Sequence, residues 1–186
     1  MTTTSELFKE AQDLFVHGHL RESLAGFDRA EAAGFDPIVS ALSRGAAYLR
    51  LGEYEGAIHE LDSVVARQPN HDRALYYRGL VWLNSGDPKR AVEDLSRSIT
   101  INPTRAPAFL ARGIARSELG QDEGAVNDFK AAVAHSTAEV EEFTSLLGSH
   151  RTLFERSMAL LEGERGPHKI VLTPEEVERL KGWLEE

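Results

Sequence analysis

Apolar residues recur along this chain at the three- and four-residue steps of an amphipathic helix, and the stripes come in pairs punctuated by glycine or proline. Between 39 and 51, Leu42, Gly45, Tyr48 and Leu49 share one face, and Gly52 follows where a left-handed cap ends a helix. The next stripe, Ala57, Ile58, Leu61, Val64 and Val65 within 54–67, stops before Pro69. Asp87-Pro88 then offers an N-cap and a first-turn proline to a helix carrying Ala91, Val92, Leu95 and Ile99, and Pro103 closes it. A further pair opens near 106, with Phe109 and Gly113 on its first helix and Ala125, Val126, Phe129, Ala132 and Val133 on its second. In the first pair Pro37 falls two residues late, after Gly34-Phe35-Asp36, which predicts a longer closing turn.

These pairs are copies of one unit. Gly18, Gly52, Gly86 and Gly120 stand 34 residues apart, and small residues follow each at the fifth position: Ser23, Ala57, Ala91 and Ala125. Four residues later come Phe27, Leu61, Leu95 and Phe129, and seven before each glycine stand Ala11, Gly45, Gly79 and Gly113. The pattern resembles the tetratricopeptide repeat (TPR), an antiparallel helix pair whose small positions let helices cross closely. The resemblance covers roughly 3–136 and implies an all-α, right-handed TPR superhelix (α-solenoid) of about four helix pairs, approximately 3–36, 38–70, 72–104 and 106–136, plus C-terminal capping helices. It also implies a protein-binding role, with another protein or peptide segment as partner, and leaves the ligand unnamed.

In TPR proteins the ligand surface is a concave face lined mainly by first helices. The family's groove positions carried onto this chain are Ser5, Phe8, Gln12 and Phe15; Val39, Leu42, Ala46, Leu49 and Arg50; Arg73, Tyr76, Leu80, Leu83 and Asn84; and Pro107, Leu110, Ile114, Ser117 and Glu118. The set is mostly apolar. Co-chaperones of this family that hold the acidic C-terminal carboxylate of Hsp70 or Hsp90 use lysine, asparagine and arginine at positions occupied here by Phe8, Gln12, Ser43, Arg73 and Tyr77. Only Arg73 has the required charge, so the resemblance implies no such clamp.

An internal covariation needs no family. Arg44, Arg78 and Arg112 are each followed 16 residues later by a carboxylate, Glu60, Asp94 or Asp128, whereas the first unit has Glu10 and Gly26 at those places. The pairing predicts an ion pair between the two helices of a unit, linked along the array as a ladder. A carboxylate always beside the arginine argues against an anion site.

After the fourth unit, 138–162 reads as one long helix with Val140, Phe143, Leu147, Phe154, Met158 and Leu161 on one side, a cap of the kind repeat arrays use to seal their ends. A linker and short extended run cover 163–172. Thr173-Pro174-Glu175-Glu176 then opens a last amphipathic helix, 173–186, whose Val177, Leu180, Trp183 and Leu184 are the expected tail-docking residues, either on the capping helix or as a displaceable lid in the groove.

Composition narrows the classes that remain. No run nears the roughly 18 apolar residues of a membrane span, and no charged leader with an apolar core opens the sequence, so membrane insertion is not expected and a cytoplasmic address is. The net charge of −9 disfavours nucleic acid, whose phosphates need lysine and arginine. Cysteine is absent, and no phosphate loop, H-E-x-x-H or nucleophile elbow occurs. His17 and His19 read as a solvated turn. No enzyme, cofactor or metal is expected. The leading reading is a protein-interaction scaffold or chaperone-like adaptor with an apolar groove; the alternative is a self-associating assembly protein, a homo-oligomer using the groove or the C-terminal helices.

Overall fold

The computed structural model describes residues 3–135, and over that span the chain is all-α: eight helices joined by short turns. In chain order they are α1 (Thr4–Val16), α2 (Leu20–Ala32), α3 (Pro37–Leu51), α4 (Tyr54–Arg67), α5 (Asp72–Asn84), α6 (Pro88–Ile101), α7 (Ala106–Glu118) and α8 (Asp122–His135). The long helix, linker and last helix expected at 138–186, with Val177, Leu180, Trp183 and Leu184, lie outside the described residues.

Local chemistry sets the helix ends. Thr3 and Glu6 close a capping box on α1, the Glu6 carboxylate accepting the Thr3 N–H at 2.7 Å while the Thr3 hydroxyl accepts the Glu6 N–H at 3.3 Å. Asp87 caps α6 through the Arg90 N–H at 3.1 Å, with Pro88 in the first turn. Gly52 stops α3 at φ +73°, where a side chain would strain the backbone. One boundary differs from the sequence reading. Pro37 does not close a long turn; Asp36 accepts from the N–H groups of Ile38 and Val39 at 2.8 and 3.2 Å, which makes Pro37 the first residue of α3.

The chain divides into two compact units between Val81 and Trp82, inside α5. In the first, α1 packs on α2, α2 on α3, and α3 on α4. Its opening core is Phe8, Ala11, Phe27 and Ala30, and Phe8 stacks on Phe35 at 4.1 Å between ring centroids. A Cβ on Gly26 would lie 2.7 Å from the Ala11 Cβ, so the missing side chain sets how closely α1 and α2 approach. Further along, Leu61 fills the space over Gly45. In the second unit, α7 packs on α6 and α8, with Leu95, Ala111, Ala115, Phe129 and Ala132 buried and the Phe129 ring lying where a Gly113 side chain would project.

Candidate functional site

Two faces of the helix pairs carry distinctive side chains. The first is the arginine ladder. Arg44 of α3 donates from Nη2 to Glu60 of α4 at 2.9 Å and from Nη1 to Glu31 of α2 at 2.6 Å, with Asp28 at 3.3 Å. Arg112 of α7 makes two bonds to Asp128 of α8, at 2.9 and 2.6 Å, and a third to the Ser96 hydroxyl of α6 at 3.1 Å. Arg116 adds a contact to Asp128 at 2.8 Å. Arg78 donates to Asp62 at 2.7 Å. The arginine thus ties its helix to the second helix of its own unit, 16 residues on, and to the second helix before it, 16 residues back.

The backward partners, Asp28, Asp62 and Ser96, were missed from sequence although they are themselves 34 residues apart. Burial opposes the charge on Arg44, but hydrogen bonds to Glu60 and Glu31 outweigh it and hold its pKa above the ordinary arginine value. Asp28, Glu31, Ala32, Arg44 and Glu60 line an open pocket of about 440 Å³. Its one guanidinium is matched to three carboxylates already present, so the arginines join helices and offer an anion nothing.

The second face is formed by the first helices. On α3, Val39, Leu42, Ala46 and Leu49 follow one another at helical steps, and their exposure falls along the helix. Val39 is 38% exposed and Leu42 half-buried, whereas Ala46 and Leu49 are buried. On α1, Gln12 is exposed, Phe15 half-buried, and Phe8 turned into the core beneath Phe35. Arg50 joins the two helices: its Nη1 donates to the Phe15 carbonyl at 2.8 Å and its guanidinium stands 4.7 Å from the Phe15 ring centroid. A cation thereby meets a carbonyl at the C-terminal end of α1, where the helix dipole favours it.

On α5, Arg73 is exposed, while Tyr76 and Leu80 are buried at 3% and 1%. Leu83, Leu110 and Ile114, the candidates in the second unit, are buried as well. The surface left open in the first unit is therefore narrower than the twelve candidate positions. It comprises Gln12, Phe15, Val39, Leu42 and Arg50, with Arg73 at the position equivalent to Val39 one repeat later. Ser43 also lies there, half-buried, its hydroxyl satisfied by the Val39 carbonyl at 2.8 Å.

Among the described residues no group of histidine and carboxylate side chains is arranged to hold a metal ion, and no helix is long and apolar enough to cross a membrane. His17 and His19 are exposed, and the Nδ1–H of His17 donates to the Asp13 carbonyl at 2.7 Å.

Residues 42–106 match the family model of the tetratricopeptide repeat. No curated protein matches the chain at a significant level. Among solved structures, the fold is similar to the thermophilic TPR protein TTC0263 of Thermus thermophilus, at 18% identity and a TM-score of 0.65 over 99% of this chain and 100% of that one. It is similar to MamA from Desulfovibrio magneticus, residues 41 to the end, at 23% identity and a TM-score of 0.63 over 88% and 98%. The second TPR of Spaghetti (RPAP3), solved bound to the HSP90 peptide SRMEEVD, is 25% identical with a TM-score of 0.53, over 54% of this chain and 94% of that one.

Proposed function

The chain is a tetratricopeptide-repeat protein, and from that premise we propose that it is a protein-interaction scaffold holding a partner's peptide segment against the first-helix face of α1, α3 and α5. The observation that carries this reading is the strip of Val39, Leu42 and Phe15, apolar side chains left partly open between Gln12, Arg50 and Arg73, on the face that a repeat scaffold presents. A partner covering such side chains removes apolar area worth about 25 cal/mol per Å². The neighbour bound to an HSP90 peptide shows this fold taking an extended segment. Transfer of that particular ligand finds little support here, because Phe8 and Tyr77 are buried and Arg73 is the one cation among the five matched positions.

The test is affinity capture by the full chain beside Val39→Asp and Leu42→Asp. Both positions are partly exposed, so helix content by circular dichroism should hold. Loss of the captured partner in both variants, and retention in Glu22→Lys on α2, is the expected result. Capture unchanged by both aspartates places the binding surface elsewhere.

A further inference from the structure

The first-helix face of the first unit has the wrong charge for its surroundings. Residues 1–81 hold 12 acidic and 8 basic side chains, yet the groove positions on α1, α3 and α5, from Ser5 to Leu80, carry Arg50 and Arg73 and no carboxylate. Arg73 is exposed and has no ion-pair partner among the described residues. Arg50 spends one nitrogen on the Phe15 carbonyl. A segment suited to this face brings carboxylates to the two guanidiniums and aliphatic or aromatic side chains to Val39, Leu42 and Phe15.

The chain contains such a segment. Residues 173–186 include Glu175, Glu176, Glu178, Glu185 and Glu186 against Arg179 and Lys181, with Val177, Leu180, Trp183 and Leu184 at helical spacing. A helix this short is marginal alone in water and gains order only by docking. Residues 136–172 tether it to α8, and by helical or coil measure such a tether reaches on the order of 30–40 Å. Tethering supplies an effective concentration on the order of millimolar.

We propose that residues 173–186 occupy the first-helix face of α1, α3 and α5 as a displaceable cover, held by apolar contact with Val39 and Leu42 and by carboxylates at Arg73 and Arg50. The proposal rests on the reading of this face as the partner site: the tail competes with the partner, and partner affinity is set by how readily the cover leaves.

The chain has no cysteine, so introduced pairs report proximity without background. Full-length protein carrying Lys181→Cys with either Gln12→Cys or Ser43→Cys is oxidised mildly, beside a control pairing Lys181→Cys with Glu22→Cys on α2. At least one groove pair should close within a single chain, independently of protein concentration and at least about tenfold faster than the control. Arg73→Glu should slow it severalfold. Groove pairs no faster than the control, or a bond that forms between chains and grows with concentration, would overturn the proposal, the first in favour of another docking site and the second in favour of a second copy. The two readings fail separately. If no groove pair closes while Leu42→Asp still abolishes capture, the cover is refuted and the partner site stands. If a groove pair closes while Leu42→Asp leaves capture intact, the cover stands and the partner site does not.

Discussion

Arg112 and Asp128 show what a single ladder residue contributes. Asp128 is 2% exposed and takes hydrogen bonds from Arg112 and Arg116, so its charge is compensated within the protein rather than by water. Arg112→Ala should destabilise the fold by about 1.5–3 kcal/mol, the range for hydrogen bonds to charged groups. Asp128→Ala should cost more, about 3–5 kcal/mol, because it leaves two arginines facing each other without their carboxylate. Urea unfolding measures both, and losses under about 0.5 kcal/mol would class the ladder with surface pairs. A second residue-scale prediction concerns the cap of α1. Hydrogen bonds from the Thr3 backbone and side chain hold the Glu6 carboxyl below the ordinary glutamate range. A lowered carboxylate pKa stabilises above the unfolded value and the contribution is lost as pH falls through the folded one. Amide exchange in the first turn of α1 should therefore quicken on acidification through that range, and Glu6→Gln should remove the pH dependence.

At the scale of elements, the helix pairs are held at their spacing by side chains that are absent. A Cβ at residue 113 would sit 2.5 Å from the Phe129 ring, which is itself 1% exposed and has nowhere to turn. Gly113→Ala should cost about 1–3 kcal/mol by overpacking, and Phe129→Leu should recover part of it in the double variant, a coupling that a double-mutant cycle reads directly. A strictly additive pair would mean that α7 and α8 separate freely. These crossings were legible in the sequence because Gly45 and Gly113 recur with the repeat, and helix starts were legible wherever an aspartate precedes a proline. Pro37 was misplaced because a proline that ends one helix and a proline that begins the next look alike until Asp36 is seen capping α3. The division of the apolar stripe between core and open face was not legible at all. Leu42 and Leu80 occupy similar repeat positions and the same letter, yet one is half-buried and the other 1% exposed. That difference is set by which neighbouring helix covers the position, information that no single helix contains. For the same reason Phe8 read as a groove residue although Phe35, from the turn before α3, stacks on it.

On the scale of the whole molecule, two electrostatic effects of opposite sign compete, and salt separates them. The chain carries a net charge of −9, with an excess of carboxylates in residues 1–81 and again beyond 135, so its compact state suffers long-range self-repulsion. Against this stand the ladder pairs, whose attraction is local. Salt screens charges in water over a Debye length of about 10 Å at 0.1 M and about 3 Å at 1 M, and it screens buried pairs much less. The side chains of Arg44, Arg112 and Asp128 are only 12%, 13% and 3% exposed, so added salt should relieve the repulsion while barely touching the ladder. Sodium chloride raised from roughly 0.02 to 0.3 M should therefore raise the Tm of the full chain by about 1–3 °C, corresponding to somewhat under 1 kcal/mol for a chain of this size. Arg112→Ala should show the same upward slope from a lower starting Tm, since the pair it loses is one salt does not weaken. A Tm that falls with salt in the full chain, and no longer falls in Arg112→Ala, would mean that solvent reaches the ladder and that its pairs stabilise as exposed charges do.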